Sequence, residues 1–321
     1  MSILKTLWIV IGLMTIVLLN VFLFQAFSEK EIHPDETIKP FEKMQMPPVY
    51  NVVIPEKMAF CNEPVPIDMF LVREFLDREL TSNTYFHSST IMLFKRANRW
   101  FPIIEPILAE QKIPNDFKYL ALIESSLENT VSPAGAAGVW QILAVTAREY
   151  GLEVNDGIDE RYHLEKATVA ACKYLRSSYE KFGSWTLAAA AYNTGNARIT
   201  KSLSEQRVDN YYDLFLNQET ARYIFRILAV KTIFENPQQY GYYMDRREFF
   251  PPIPTRTVEV TQTIPSLVDF AGDHKITYKV LKYFNPWLRQ ETLPNASKRT
   301  YQIKIPLEGY TNYSKLWETE Q

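Results

Sequence analysis

Apolar residues recur at three- and four-residue intervals through most of this chain. Met69, Val72, Phe75, Leu76 and Leu80 make the first such stripe, the mark of a helix with one buried face. Further stretches with helical spacing fall near 88–100, 102–111, 115–128, 141–150, 165–182, 185–193 and 219–235, with Pro102, Pro106 and Pro114 punctuating the early ones. Between 68 and about 240 there is no convincing alternation of apolar and polar positions, so this region is expected to be nearly all α. The pattern changes at Phe250. Phe249 to Thr257 reads as a linker, and Val258-Glu259-Val260-Thr261 then alternates as a short strand. Two short helical stretches, near 265–272 and 277–285, precede a second strand at Tyr301–Ile305. That order describes a small β-α-α-β module.

Ahead of the helical region, Thr6 to Phe27 carries no charge at all. As a helix rising ~1.5 Å per residue it would cross a hydrocarbon core of ~30 Å. Lys5 precedes it, while Glu29 and Glu31 follow, so the charge bias keeps the N-terminus in the cytoplasm and exports the rest. A cleaved signal peptide is the alternative, but Phe24-Gln25-Ala26 is a poor cleavage site. No cysteine closes the apolar run, which argues against a lipoprotein. Residues 28 to 66 are rich in proline without sustained periodicity and read as a semi-extended spacer.

Composition adds mainly exclusions. A net charge of −2 leaves no basic footprint for nucleic acid. His33, His87, His163 and His274 are too scattered to suggest a metal site, and nothing in the chain calls for a cofactor. Two cysteines, Cys61 and Cys172, make no disulfide framework. They could pair in an oxidising compartment, but the helical context of Cys172 suits a small buried hydrophobe. Aromatic residues make up 14% of the chain, which fits a carbohydrate groove and a packed helical core equally well.

The candidate chemistry begins at Glu124. On a helix it shares a face with Phe117, Leu120 and Ala121. A carboxylate on an apolar stripe is costly unless paired or protonated. Desolvation raises its pKa, as a general acid at neutral pH requires. A Glu near a helix C-terminus, paired with a Lys or Arg, is the bland alternative. Downstream, Ser132-Pro133-Ala134-Gly135-Ala136-Ala137-Gly138 is a loop of tiny residues that allows close backbone approach. Gly138-Val139-Trp140-Gln141 is then expected to open a helix and present an amide. Trp185 to Asn193 has little side-chain bulk before Tyr192-Asn193, and Gly195 stops it. Tight helix packing and plain C-capping would account for the alanines and for the Tyr-Asn pair.

Taken together, Glu124-Ser125, Gly138-Val139-Trp140-Gln141 and Ala191-Tyr192-Asn193 resemble the three ordered signatures of the soluble-lytic-transglycosylase domain, glycoside hydrolase family 23. Asp159-Glu160-Arg161 resembles that family's short acidic-Arg turn, and Glu219-Thr220 with Tyr223 its closing helix. The resemblance covers about 62–245 and implies a lysozyme-like helical domain acting on the glycan strands of peptidoglycan. It implies Glu124 as the acid and base, with Ser125, Gln141, Tyr192, Asn193, Glu219 and Tyr223 binding substrate or orienting Glu124. The Gly135–Gly138 loop would form part of the floor. The C-terminal module is similar to a degenerate LysM domain, with Gly272-Asp273, Asn285-Pro286 and Ile305-Pro306 at that family's turns. It is expected either to bind glycan or simply to pack on its neighbour. The expected organisation is thus a cytoplasmic start and transmembrane anchor (1–27), spacer (28–66), catalytic domain (67–245), linker (246–256), LysM-like module (257–306) and tail (307–321). The product implied is 1,6-anhydro-N-acetylmuramic acid. A hydrolytic muramidase or chitinase and a non-catalytic wall-binding scaffold are the competing functions.

Overall fold

A computed structural model describes residues 49–317. The expected anchor at 6–27 and most of the spacer lie outside the described residues. Among those described, no helix is long and apolar enough to cross a membrane.

The molecule is mainly helical. A two-residue hairpin, β1 (Ala59–Phe60) with β2 (Glu63–Pro64), leads into α1 (Phe70–Tyr85), α2 (His87–Glu110), α3 (Phe117–Ser125), α4 (Ala144–Glu149), α5 (Leu164–Phe182), α6 (Trp185–Thr194), α7 (Asn196–Gln206) and α8 (Gln218–Glu235). Helix α8 is the centre of the body and packs on α1, α3 and α6. Its sequence explains why. Tyr223, Ile224, Phe225, Ile227, Leu228, Ala229, Val230 and Ile233 are all buried, so most of its circumference is in the core, while its charged residues, Glu219, Arg222, Arg226, Lys231 and Glu235, stay at least partly exposed. Helix α6 reaches the same core with almost no bulk. Ala188 to Ala191 are fully buried, letting neighbouring backbones close on it.

Four features depart from the sequence reading. Helix α2 runs unbroken through Pro102 and Pro106. Those prolines sit four residues apart on the solvent side, where water can serve the carbonyls they free, while Ile104 and Leu108 hold the other face in the core. Helix α7 was not expected, because only Ile199 of its residues is buried. Gly138–Gln141 does not open a helix. It is a tight turn, and α4 begins at Ala144. Finally, the helical body takes in part of the predicted spacer. Phe60 is fully buried, and the Glu63 carboxylate accepts from the backbone N–H groups of Trp185 and Thr186 at 2.5 and 2.9 Å. A carboxylate at that helix start meets unsatisfied donors and the positive end of the helix dipole.

Beyond α8, residues 249–254 run extended along α2. Phe250 N–H donates to the Lys95 carbonyl, and Arg99 Nε donates to the Pro251 carbonyl at 3.0 Å. The C-terminal module follows in the expected order: β3 (Thr255–Val260), α9 (Leu267–Asp273), α10 (Tyr278–Phe284) and β4 (Tyr301–Pro306). Its strands pair antiparallel, Thr255 opposite Pro306 and Val260 opposite Tyr301. Ser266 and Thr277 cap its helices.

The module packs on the helical body around the turn at 157–162. Asp159 N–H donates to the Trp287 carbonyl and Arg289 N–H to the Gly157 carbonyl, each at 2.9 Å. Ala137, Ile158 and Tyr162 of the body are buried in the module's own core with Leu288 and Ile303. Lys304 bonds to Glu165. Burial alone would raise the Glu165 pKa, but His163 and Lys304 outweigh it and hold the carboxyl down at about 2. Packing of the module is therefore an observed contact. Both cysteines are free and buried.

Candidate active site

Helix α3 ends abruptly. Ser126 and Leu127 both take left-handed backbone angles, φ 55° and 58°, which cost a residue with a Cβ ~1–2 kcal/mol each. The reversal leaves Glu124 in the helix's last turn, half-buried. Its Oε1 accepts a hydrogen bond from the Tyr223 hydroxyl of α8. Burial raises its pKa above the ordinary 4.5. The Tyr223 bond and the charge of Arg226 oppose that rise, and the charge of Glu219 adds to it. Burial wins, so the proton is held more tightly than on a free carboxylate.

The three motif segments meet through backbone carbonyls. Ser125 Oγ donates to the Val139 carbonyl at 2.7 Å, tying α3 to the 138–141 turn. Tyr192 Oη, from α6, donates to the next carbonyl, Trp140, also at 2.7 Å. The Trp140 indole is fully buried and donates to Thr168 Oγ1 of α5 at 2.8 Å. Gln141 stands at φ 47°, and its amide donates to the Gly138 and Thr130 carbonyls at 2.8 and 3.0 Å. The turn is thus held on every side, which lets its strained backbone persist.

The expected residues sort into three groups. Tyr223 touches Glu124 directly. Tyr192 lies close enough for the Glu124 charge to act on it, and burial pushes both phenols well above their usual pKa, so both stay protonated as donors. Asn193 and Glu219 form a second cluster. Asn193 Nδ2 donates to Glu219 Oε1 at 3.1 Å, and Thr220 Oγ1 donates to Asn193 Oδ1 at 2.8 Å. Ser125 and Gln141, by contrast, do not bond Glu124. Their polar atoms are engaged with the 130–139 backbone, so they hold the turn in place. The Gly135–Gly138 loop is pinned from below by Arg161, which donates to the Gly135 carbonyl at 2.8 Å while Asp159 grips its guanidinium.

Sequence reasoning missed Arg226. It lies three residues after Tyr223, on the same side of α8, and its positive charge acts on Glu124. The one-turn spacing was the available signal. Among the described residues, no group of His, Cys, Asp or Glu is arranged to hold a metal.

The segment that carries this geometry, a half-buried carboxylate on a short helix beside a pinned glycine-rich turn, falls within a match to a known domain. Residues 101–215 match the Transglycosylase SLT domain, and residues 256–309 match the Soluble lytic transglycosylase C-terminal LysM-like domain. The chain is homologous to the membrane-bound lytic murein transglycosylase D of Escherichia coli strain K12. The two are 28% identical over 241 residues, covering 73% of this chain and 51% of that protein. The same protein from strain O6:H1 matches equally. A putative tributyltin chloride resistance protein of Alteromonas sp. strain M-1 is 26% identical over 122 residues, 37% of this chain and 59% of that one. The chain spans about half the length of the lytic transglycosylases it matches.

Proposed function

We propose that this protein is a peptidoglycan lytic transglycosylase that cleaves the β-1,4 bond between N-acetylmuramic acid and N-acetylglucosamine, on a helical domain of lysozyme type. The observation that carries the reading is the state of Glu124: half-buried, its proton affinity raised, one oxygen bound by Tyr223. In this reading the Glu124 carboxylic acid protonates the glycosidic oxygen as the bond from the anomeric carbon breaks. The sugar's own acetamido oxygen stabilises the cationic carbon. Glu124, now a carboxylate, takes the proton of the same sugar's 6-hydroxyl, and that oxygen closes on the anomeric carbon. No water enters. Tyr192 and Asn193 line the cleft, Asn193 keeping one amide N–H for the acyl-amino sugar.

Most glycosidases use two carboxylates, and the charge that reaches Glu124 from a second one is that of Glu219. Glu219 is exposed and bonded to Asn193, an arrangement that favours support of the amide over activation of water. The product decides. Digestion of sacculi in heavy-oxygen water is expected to release muropeptides ending in unlabelled 1,6-anhydro-N-acetylmuramic acid. Labelled reducing ends as the main product would make the enzyme a hydrolytic muramidase, and no release at all would leave a wall-binding scaffold.

Tyr223 supplies a finer test. Its hydroxyl favours the charged form of Glu124, so Tyr223→Phe should raise the Glu124 pKa further. The alkaline limb of the kcat/KM profile should move upward, and activity should fall ~10-fold at its optimum. An unmoved limb would place Tyr223 outside the acid–base step.

The uncharged 6–27 run supports membrane anchoring with the body on the exported side. A reporter fused after Gln321 should be active only outside the cytoplasm, and cytoplasmic activity would reverse that topology.

A further inference from the structure

A cavity of about 870 Å³ lies between the helical body and the C-terminal module. Glu124 does not line it. One wall is Leu127, Glu128, Asn129 and Thr130, the residues that follow the Glu124 helix, and Thr130 is also the partner of Gln141. The cavity therefore abuts the segment that directly follows the Glu124 helix. The far wall belongs to the module, including Lys282, Tyr283 and Lys304, and the 250–253 strap completes the enclosure.

Its charge is unbalanced. Arg96, Arg99, Lys282 and Lys304 face two carboxylates, Glu128 and Glu165. Glu128 is paired with Arg96, and Glu165 with Lys304. The partners of the other two cations are neutral. Arg99 donates to the Pro251 carbonyl and the Tyr283 hydroxyl, and Lys282 to the Leu288 and Gln290 carbonyls. Burial and the nearby Arg289 lower the Lys282 pKa, against the opposing charge of Glu291 outside the cavity lining.

The aromatic lining suggests a sugar platform, but three of its six rings, Phe250, Tyr162 and Trp287, are already covered, leaving Trp100, Tyr283 and Phe284. Arg99 and Lys95 lie over Phe250 at 5.2 and 5.9 Å, and Arg289 covers Tyr162 at 4.3 Å. Trp287 is 2% exposed, stacked on Tyr301. A neutral glycan would leave the two cations unanswered. An anionic chain would not.

We propose that this cavity binds the peptide stem of the strand being processed, holding stem carboxylates on Arg99 and Lys282. The inference rests on the reading above that the strand is peptidoglycan. It assigns the module a role in sensing whether a strand is peptide-bearing.

Titration calorimetry on the full chain in detergent, silenced by Glu124→Gln, tests it with three probes. These are an isolated stem peptide, the same peptide with its carboxylates amidated, and a peptide-free N-acetylglucosamine oligomer. The anionic stem should bind and the amidated one should not. Arg99→Gln with Lys282→Gln should weaken stem binding at least ~10-fold. Lys282 also bonds within the module, so Thr257→Glu provides a second variant: an exposed cavity residue that gains a charge. It too should weaken stem binding. In the active enzyme it should slow release from sacculi but not from strands stripped of peptide. Equal binding of the charged and amidated peptides, or stem binding untouched by either variant, would overturn the proposal. So would an oligomer that binds and is displaced by Thr257→Glu while the stem is not. A wild-type enzyme inert on both strand types would sink the functional reading. Turnover of both without stem binding would sink this inference alone.

Discussion

Glu124→Gln is expected to leave a folded protein that releases almost no soluble muropeptide from sacculi. Glutamine keeps the shape and the bond from Tyr223 but has no proton to give. General acid–base help is worth ~10²–10⁴-fold, and one residue acting in both directions puts the loss at or above the upper end. The stability change has the opposite sign. Burial raises the folded pKa above 4.5, so the folded state binds the proton more tightly than the unfolded chain. Between those two pKa values stability falls as pH rises, and above them ionised Glu124 is a net cost. The variant should therefore melt no lower than wild type at neutral pH, with the advantage fading as pH drops toward 4.5. Thermal melts across that range, alongside the activity assay, check both halves. Retained activity would move the role to Glu219 or Glu128, of which Glu128 is exposed and paired with Arg96. An unfolded variant would make Glu124 a structural ion-pair partner.

The helical body was legible where burial is periodic. Helix α5 carries its apolar stripe from Leu164 to Phe182 with Gly183 as a left-handed stop, close to the 165–182 reading. Helix α8 likewise follows its own pattern. Helix α7 was invisible for the same reason in reverse, since a mostly exposed helix leaves no stripe. The prolines of α2 were read as breaks because a local rule cannot know that both face water.

The candidate site was legible only as an ordered set of motifs. Glu124 could be picked out by its apolar neighbours, and the meeting of residue 125 with 139, of 192 with 140 and of 223 with 124 rests on contacts far apart in the chain. Periodicity mistook the 138–141 turn for a helix start, because what bends it is Gln141 bonding back to Gly138 and Thr130. The interdomain cavity leaves no sequence trace at all, since its two walls are brought together by the docking of Trp287 and Leu288 on the 157–162 turn.

That turn also sets the second large effect, expected at Gly138. Gly138 stands at φ +79°, and a Cβ there would lie 1.9 Å from the Arg161 carbonyl oxygen and 2.7 Å from its carbon. The obstacle is backbone, and it is fixed. Asp159 accepts from Arg161 N–H at 3.1 Å, and Asp159 itself is tied to Trp287. Gly138→Ala must therefore push the 138–141 turn off its supports, the Ser125–Val139 and Tyr192–Trp140 bonds. Left-handed strain and overpacking together come to ~2–4 kcal/mol, or roughly 5–15 °C in Tm for a body of this size. Activity should fall with it, because the Trp140 carbonyl of the same turn holds Tyr192 near Glu124. Gly135→Ala is the control. It shares a positive φ, +81°, but its Cβ would meet nothing within 4 Å, so it should cost only ~1 kcal/mol of backbone strain. Melting curves of the two variants side by side separate the causes. If they fall together, backbone angle alone explains both glycines and the close approach to Arg161 contributes nothing. If Gly138→Ala falls much further, the pinned turn depends on a position where no side chain fits.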